Sequence, residues 1–201
     1  MKTLVIASRN RGKVEEYQRL LSDLPFYILS LADFPALPEI DEHGRTFAEN
    51  ALLKAETVAR LTGELSLADD SGLETDALDG LPGLYSARYS GPGATDEQNN
   101  LKLLAELASL PDSQRTARFC AAIAITGPGH EPRIVEGFCS GEITLFPRGT
   151  GGFGYDPLFF VPEAGKTFAE MDPAEKNKYS HRARAFAAAR EILRHIASRA
   201  G

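Results

Sequence analysis

Apolar residues along this chain fall into short strand-length runs, separated by segments in which they recur at helical spacing. "TLVIAS" (3–8) is a continuous apolar run and reads as a buried strand. After the turn "RNRGK", residues 13–22 place Val14, Tyr17 and Leu21 on one helical face. A second strand is predicted near Tyr27–Ser30, followed by a Pro- and acid-rich loop at 34–44. Thr46-Phe-Ala-Glu49 has the form of a capping box, so a helix is predicted from Phe47 to about Leu61, stopped by Gly63. "LSLAD" (65–69) reads as a short strand. Residues 70–94 read as loop, because Gly72, Gly80, Pro82, Gly83, Gly91, Pro92 and Gly93 punctuate them.

Thr95-Asp-Glu-Gln98 is a second capping box, with Leu101, Leu104 and Leu107/Ala108 as the apolar stripe behind it. "RFCAAIAITG" and "RIVEGFCSGEIT" read as strands joined through "PGHEP", with Phe119, Ala121, Ile123 and Ile125 on one face. That is a hairpin signal, so part of the sheet is antiparallel. The Gly-rich "GTGGFGYDP" (149–157) precedes a strand at "LFFVP". Asp172, Pro173 and Glu175 open a short helix, with an N-cap, a proline at the first position and an acid at the third. Ser180 is placed to cap a last helix over about 181–199, buried through Phe186, Leu193 and Ile196. Strands and helices interleave without strict βαβ regularity, which predicts an α/β fold with a mixed central sheet and flanking helices. No repeat, low-complexity tract or linker is present. One domain over 1–201, or two tightly joined lobes, is therefore expected.

Composition narrows the class. The 201 residues are 43% hydrophobic and 25% charged, as in ordinary globular chains, with a net charge of −6 and a pI near 5.3. An acidic balance argues against a general nucleic-acid binder, which carries a basic footprint. Cys120 and Cys139 have neither metal-ligand spacing nor a disulfide framework. The N-terminal apolar run, Leu4 to Ser8, is too short for a signal peptide or a membrane span. A cytoplasmic, reduced location without membrane association is expected.

Four stretches could carry chemistry. Ser8-Arg9-Asn10-Arg11-Gly12-Lys13 is a strand-to-helix turn, where helix N–H groups and the dipole favour phosphate; it lacks the P-loop pattern and could be a solvated turn. Glu39, Asp41, Glu42, Asp69 and Asp70 supply hard oxygens of the kind magnesium takes together with substrate phosphates. Acidic loops are usually only solvated. "ADDSG" rises above that reading because it ends an apolar strand, where open α/β sheets place ligands. Adjacent side chains there point to opposite faces, so one aspartate can face a site while the other ties down the turn. "GTGGFGYDP" combines glycines that admit close backbone approach with the rings of Phe153 and Tyr155 and with Asp156; a hairpin loop with core aromatics is the plainer reading. Lys176, Lys178, His181, Arg182 and Arg184 cluster at a predicted helix start. Cations oppose the dipole there, which hints at an anionic partner, although an exposed basic face is the alternative.

Together these stretches resemble the inosine triphosphate pyrophosphatase family, also called Ham1-like or dITP/XTP pyrophosphatases. The resemblance lies in "SRNRGK" (8–13), "TFAENALLKA" (46–55), "ADDSGLETDALDGLPGLYSARYSG" (68–91), "GTGGFGYDPLFF" (149–160) and "KNKYSHRA" (176–183), in that order. It implies a magnesium-dependent hydrolase that converts ITP, dITP or XTP to the monophosphate and pyrophosphate. The implied fold has two lobes around a substrate cleft, and the implied assembly is a homodimer without nucleic acid. Ser8, Arg9, Asn10, Arg11, Gly12 and Lys13 match the triphosphate loop, with Arg9 and Arg11 at variable motif positions. Asp70 matches the proton acceptor and metal ligand, and Ser71 a substrate contact. Phe153, Gly154, Tyr155 and Asp156 match the base-binding segment; Lys176, His181 and Arg182 match further nucleotide contacts. A second metal ligand falls on Asp41 or Glu42. The rival readings are a Maf-type pyrophosphatase acting on dTTP, UTP or modified nucleotides, and a non-enzymatic nucleotide or RNA binder using the 176–184 cluster.

Overall fold

In a computed structural model of the chain, residues 2–111 and 114–198 are described. The strands are β1 (Lys2–Ile6), β2 (Phe26–Ser30), β3 (Leu65–Thr75), β4 (Thr116–Gly127), β5 (His130–Ile143), β6 (Phe159–Val161) and β7 (Lys166–Thr167). The helices are α1 (Arg11–Leu20), α2 (Phe47–Thr62), α3 (Asp96–Glu106), α4 (Pro173–Tyr179) and α5 (His181–Ser198). The strands form one sheet of seven in the order β2-β1-β3-β4-β5-β6-β7. β1 runs parallel to β2 and β3, whereas β6 is antiparallel to β5 and β7, so the sheet is mixed as expected. Residue 199, the predicted end of the last helix, lies outside the described residues.

The chain forms two compact units. The first holds Met1–Asp70, Ala121–Gly137 and Ala183–Gly201. Its strands β1, β3 and β4 are buried on both faces. Leu4, Ile6, Leu65, Leu67, Ile123 and Ile125 point to one side, against Tyr17 and Leu21 of the α1 segment and Phe186 and Leu193 of α5. Val5, Ala7, Ala68, Ala122 and Ala124 point to the other, against Ala51, Ala55 and Val58 of α2. The two sets interleave along each strand because successive Cβ atoms alternate in direction. The second unit holds Ser71–Cys120 and Phe138–Arg182. Its core gathers Leu73, Leu103, Leu107, Phe119, Phe159 and Phe168, with the Phe119 and Phe159 rings edge-on at 4.7 Å.

Local signals set most helix ends. Thr46 Oγ1 accepts from Glu49 N at 3.1 Å, and Gly63 ends α2 in the left-handed region at φ 72°. The second half of that predicted box is displaced by one residue, because Glu49 Oε2 accepts from Arg45 N. At α3 both halves of the Thr95–Gln98 box form. Asp172 caps Glu175 N with Pro173 in the first turn of α4. Helix α1 starts at Arg11, two residues before the predicted Lys13, because the Asn10 side chain accepts from Lys13 N at 3.0 Å.

Three expectations are corrected. The loop predicted to begin at residue 70 is strand as far as Thr75, so Asp69 and Asp70 sit inside an eleven-residue strand, not at its end. The buried stripe of α3 is Asn99, Asn100, Leu103 and, just beyond it, Leu107, while Leu101 is 59% exposed and Leu104 only half-buried. Lys176 and Lys178 occupy the last turn of α4, where the helix dipole favours cations; only His181 and Arg182 stand at the start of α5, with Arg184 one turn in.

Candidate active site

In the first unit, polar groups converge on the two adjacent aspartates of β3. Asp69 shares its face of the strand with Leu65 and Leu67 and meets α1. Its Oδ2 accepts from Tyr17 Oη at 2.8 Å, and its Oδ1 pairs with Lys13 Nζ at 2.5 Å. Asp70 shares the opposite face with Ala68 and meets α2. Its Oδ2 accepts from Asn50 Nδ2 at 3.1 Å, and its Oδ1 from Lys54 Nζ at 3.0 Å. Asn50 and Lys54 are four residues apart, hence neighbours on one face of α2. Lys54 Nζ also donates to Glu42 Oε1 at 2.9 Å and to the Asp69 carbonyl at 2.8 Å. One ammonium is therefore shared by two carboxylates and a backbone oxygen.

Both aspartates are buried, as are Asn50 and Lys54. Burial raises the pKa of Asp70, and this outweighs the lowering by Lys54 and Lys13. Burial alone would lower the pKa of Lys54, but the charges of Asp70 and Glu42 outweigh it, so the ammonium is held more firmly protonated than usual. Gly44 supports this corner: its N–H donates to Asn50 Oδ1 at 2.7 Å, and a Cβ there would come within 2.6 Å of that oxygen. Asn50 is thus fixed with its amide nitrogen toward Asp70.

The triphosphate-loop candidates line the entry to α1. Ser8 Oγ accepts from Asn10 N at 3.2 Å, Arg9 donates to the Leu37 carbonyl at 2.8 Å, and Arg11 pairs with Glu15 on the surface. Gly12 and Lys13 lie in the first turn. Of the two candidate second metal ligands, both exposed, Glu42 joins Asp70 through Lys54, and Asp41 forms no such contact. Among the described residues, no three His, Cys, Asp or Glu side chains cluster as a metal cage.

In the second unit, Phe153, Asp156, Lys176 and Arg182 converge. Asp156 Oδ2 accepts from Phe153 N at 2.9 Å and from Lys176 Nζ at 2.6 Å. Lys176 Nζ stands 5.1 Å from the centre of the Phe153 ring and the Arg182 guanidinium 5.3 Å from it, both within cation–π range. Arg182 also donates to Ser71 Oγ at 2.9 Å. His181 is buried and stacks on Phe119, with centroids 4.6 Å apart. Tyr155 departs from expectation: its ring belongs to the core and its hydroxyl donates to the Ser86 carbonyl, so the side chain is not offered to a ligand. Asp156 is likewise an internal anchor. Lys176, His181 and Arg182 are buried, which goes against the alternative of an exposed basic face; Lys178 and Arg184 alone of that cluster are exposed.

Lys54 and Asn50 are the site residues that sequence reasoning missed. The signal was an asparagine and a lysine four apart on the helical face that Ala51, Ala55 and Val58 make apolar, within a stretch already quoted for its resemblance.

The Ham1 family model matches residues 4–192. A dITP/XTP pyrophosphatase of Geobacter sulfurreducens is 55% identical over 193 residues, covering 96% of this chain and 97% of that protein. One from Geobacillus kaustophilus is 52% identical over 185 residues, covering 92% and 91%. Among solved structures, a HAM1 protein of Coxiella burnetii superposes with a TM-score of 0.86 at 44% identity, over 96% of this chain and 98% of that one. The Staphylococcus aureus Ham1 protein gives 0.84 at 40%, with the same coverage. A family model spanning nearly the whole chain, with relatives above half identity over more than nine-tenths of it, places this protein in the Ham1 family.

Proposed function

We propose that the protein hydrolyses deaminated purine nucleoside triphosphates (ITP, dITP and XTP) to the monophosphate and pyrophosphate. Membership of the Ham1 family and half-identical relatives named dITP/XTP pyrophosphatases support this reading. The observation that carries it is Asp70, a buried carboxylate of raised pKa held by Asn50 and Lys54. Burial with a specific charged partner is how catalytic carboxylates are tuned.

Magnesium fits the donors at this corner. Asp70 and Glu42 are hard carboxylate ligands already drawn to one cation, and magnesium characteristically takes one or two carboxylates plus substrate phosphates. Asp70 and Glu42 would hold it, Glu42 being preferred to Asp41. When bound, it would draw charge from the phosphoryl oxygens. Lys13, with the first-turn N–H groups of α1, would take the phosphate chain. Asp70 would accept a proton from the water that attacks the α-phosphorus. The bond from that phosphorus to the bridging oxygen breaks, and pyrophosphate leaves. Ser71, Lys176 and Arg182 would add contacts to the nucleotide, and the Phe153 ring would stack on the purine. His181 and Arg182 are proposed to read the 6-oxygen that separates hypoxanthine and xanthine from adenine. A buried donor left unpaired by the wrong base can discriminate by roughly 10⁴–10⁵.

A nucleotide panel tests the reading, with pyrophosphate and phosphate scored separately, with and without magnesium. The expected result is magnesium-dependent pyrophosphate release from ITP, dITP and XTP, with ATP a poor substrate. Preference for dTTP or UTP would establish the Maf-type alternative. Salt-sensitive RNA binding without hydrolysis would establish the binder.

A further inference from the structure

The segment proposed to hold the base is itself held by helix α3. Asp96 Oδ2 accepts from Gly154 N at 2.6 Å, and Asn100 Nδ2 donates to the Gly154 carbonyl at 3.0 Å. The two residues are four apart, so one face of α3 grips consecutive peptides. Phe153 N, on the other side of the ring-bearing residue, donates to Asp156 Oδ2. Both peptides flanking the Phe153 Cα are thereby fixed. With both fixed, φ and ψ of Phe153 are set, and with them the direction in which the ring leaves the chain.

Two features show that this arrangement is bought at a cost. Asn100 is more than nine-tenths buried, and its Oδ1 has no hydrogen-bond partner among the described residues. A buried acceptor without a partner costs free energy. The reverse amide orientation would set Oδ1 against the Gly154 carbonyl, so the amide keeps its donor on Gly154. Gly152 shows how tightly the same turn closes: at φ 73°, a Cβ there would lie 2.0 Å from Asp156 Oδ2.

We propose that Asp96 and Asn100 are positioning residues for base recognition, acting through Gly154 to aim the Phe153 ring. This inference rests on the reading that Phe153 stacks on the purine. Neither residue is required to touch substrate. Loosening the grip therefore weakens the base contact and leaves the contacts to phosphate unchanged.

The test compares Asp96→Ala, Asp96→Asn, Asn100→Ala and Phe153→Ala. Each is assayed for kcat and KM with ITP and with ATP, and for inhibition by inorganic tripolyphosphate, which has no base. Thermal melting accompanies each variant. For Asp96→Ala the expected result is a KM for ITP raised about tenfold, the figure for roughly 1.4 kcal/mol. kcat should move less, and the ITP-over-ATP preference should narrow. Tripolyphosphate inhibition should be unchanged. Asp96→Asn keeps an acceptor for Gly154 N and should restore most of the loss. Asn100→Ala should act in the same direction; Asp96 is exposed, so its variants carry the test if Asn100→Ala fails to fold. Unchanged ITP kinetics in Asp96→Ala, or an equal loss of tripolyphosphate binding, would overturn the inference. Phe153→Ala separates the two claims. If it leaves the ITP KM and the preference intact, the stacking reading itself fails. If it alone is impaired, only the role of α3 fails.

Discussion

Asp70 and Lys54 set each other's charge. Burial favours the neutral acid at Asp70, and the neighbouring ammonium opposes this without fully cancelling it. Since the folded-state pKa lies above the ordinary 3.8, ionised Asp70 detracts from stability at neutral pH, and metal-free protein regains that stability as pH falls through the raised pKa. Carboxyl NMR titration of the metal-free protein should place Asp70 above 3.8. Lys54→Met removes the largest opposing charge and should move it higher still; a downward move would show that Lys54 is not its main partner. The alternation of Asp69 and Asp70 was legible from the sequence, because it follows from strand geometry alone. Their partners were not. Tyr17 read as core, and Asn50 and Lys54 were not singled out within 46–55, because the carboxylates that engage them lie on a separate strand.

At the scale of elements, the main misreading was β3. Asp-Asp-Ser-Gly is poor strand sequence, yet sheet propensity yields to context when neighbouring strands supply the ladder. β1 pairs with Leu65, Ser66 and Leu67, and the strand continues to Thr75. Polar residues also hid the buried face of α3, because Asn99 and Asn100 spend their side chains on the Ser90 and Gly154 backbones. Helix ends were more readable, since caps are local. Gly63 is the clearest case: at φ 72°, with open space where a Cβ would stand, only backbone strain opposes substitution. Gly63→Ala should cost about 1–2 kcal/mol in denaturant unfolding while leaving ITP turnover unchanged. No loss of stability would show that the left-handed residue does not set the end of α2.

For the whole molecule, the mixed sheet was legible because apolar runs alternate with helical spacing and one hairpin is evident. The order β2-β1-β3 was not, since nothing local tells which earlier strand a later one joins. The composition also left open whether the cations of 176–184 were solvated, and burial of Lys176, His181 and Arg182 answers that. No helix among the described residues is long and apolar enough to cross a membrane. We propose a homodimer, as the family resemblance implies: sedimentation equilibrium should give twice the chain's 21.8 kDa, and a single-chain mass would refute it. The central claim is that Asp70 performs the chemistry, and Asp70→Asn assayed for both ITP binding and pyrophosphate release tests it most directly. Binding should persist while turnover falls by roughly 10²–10⁴ or more, the range for loss of a positioned base; Asp69→Asn should be the milder change. Normal turnover in Asp70→Asn, or a greater loss in Asp69→Asn, would contradict the account.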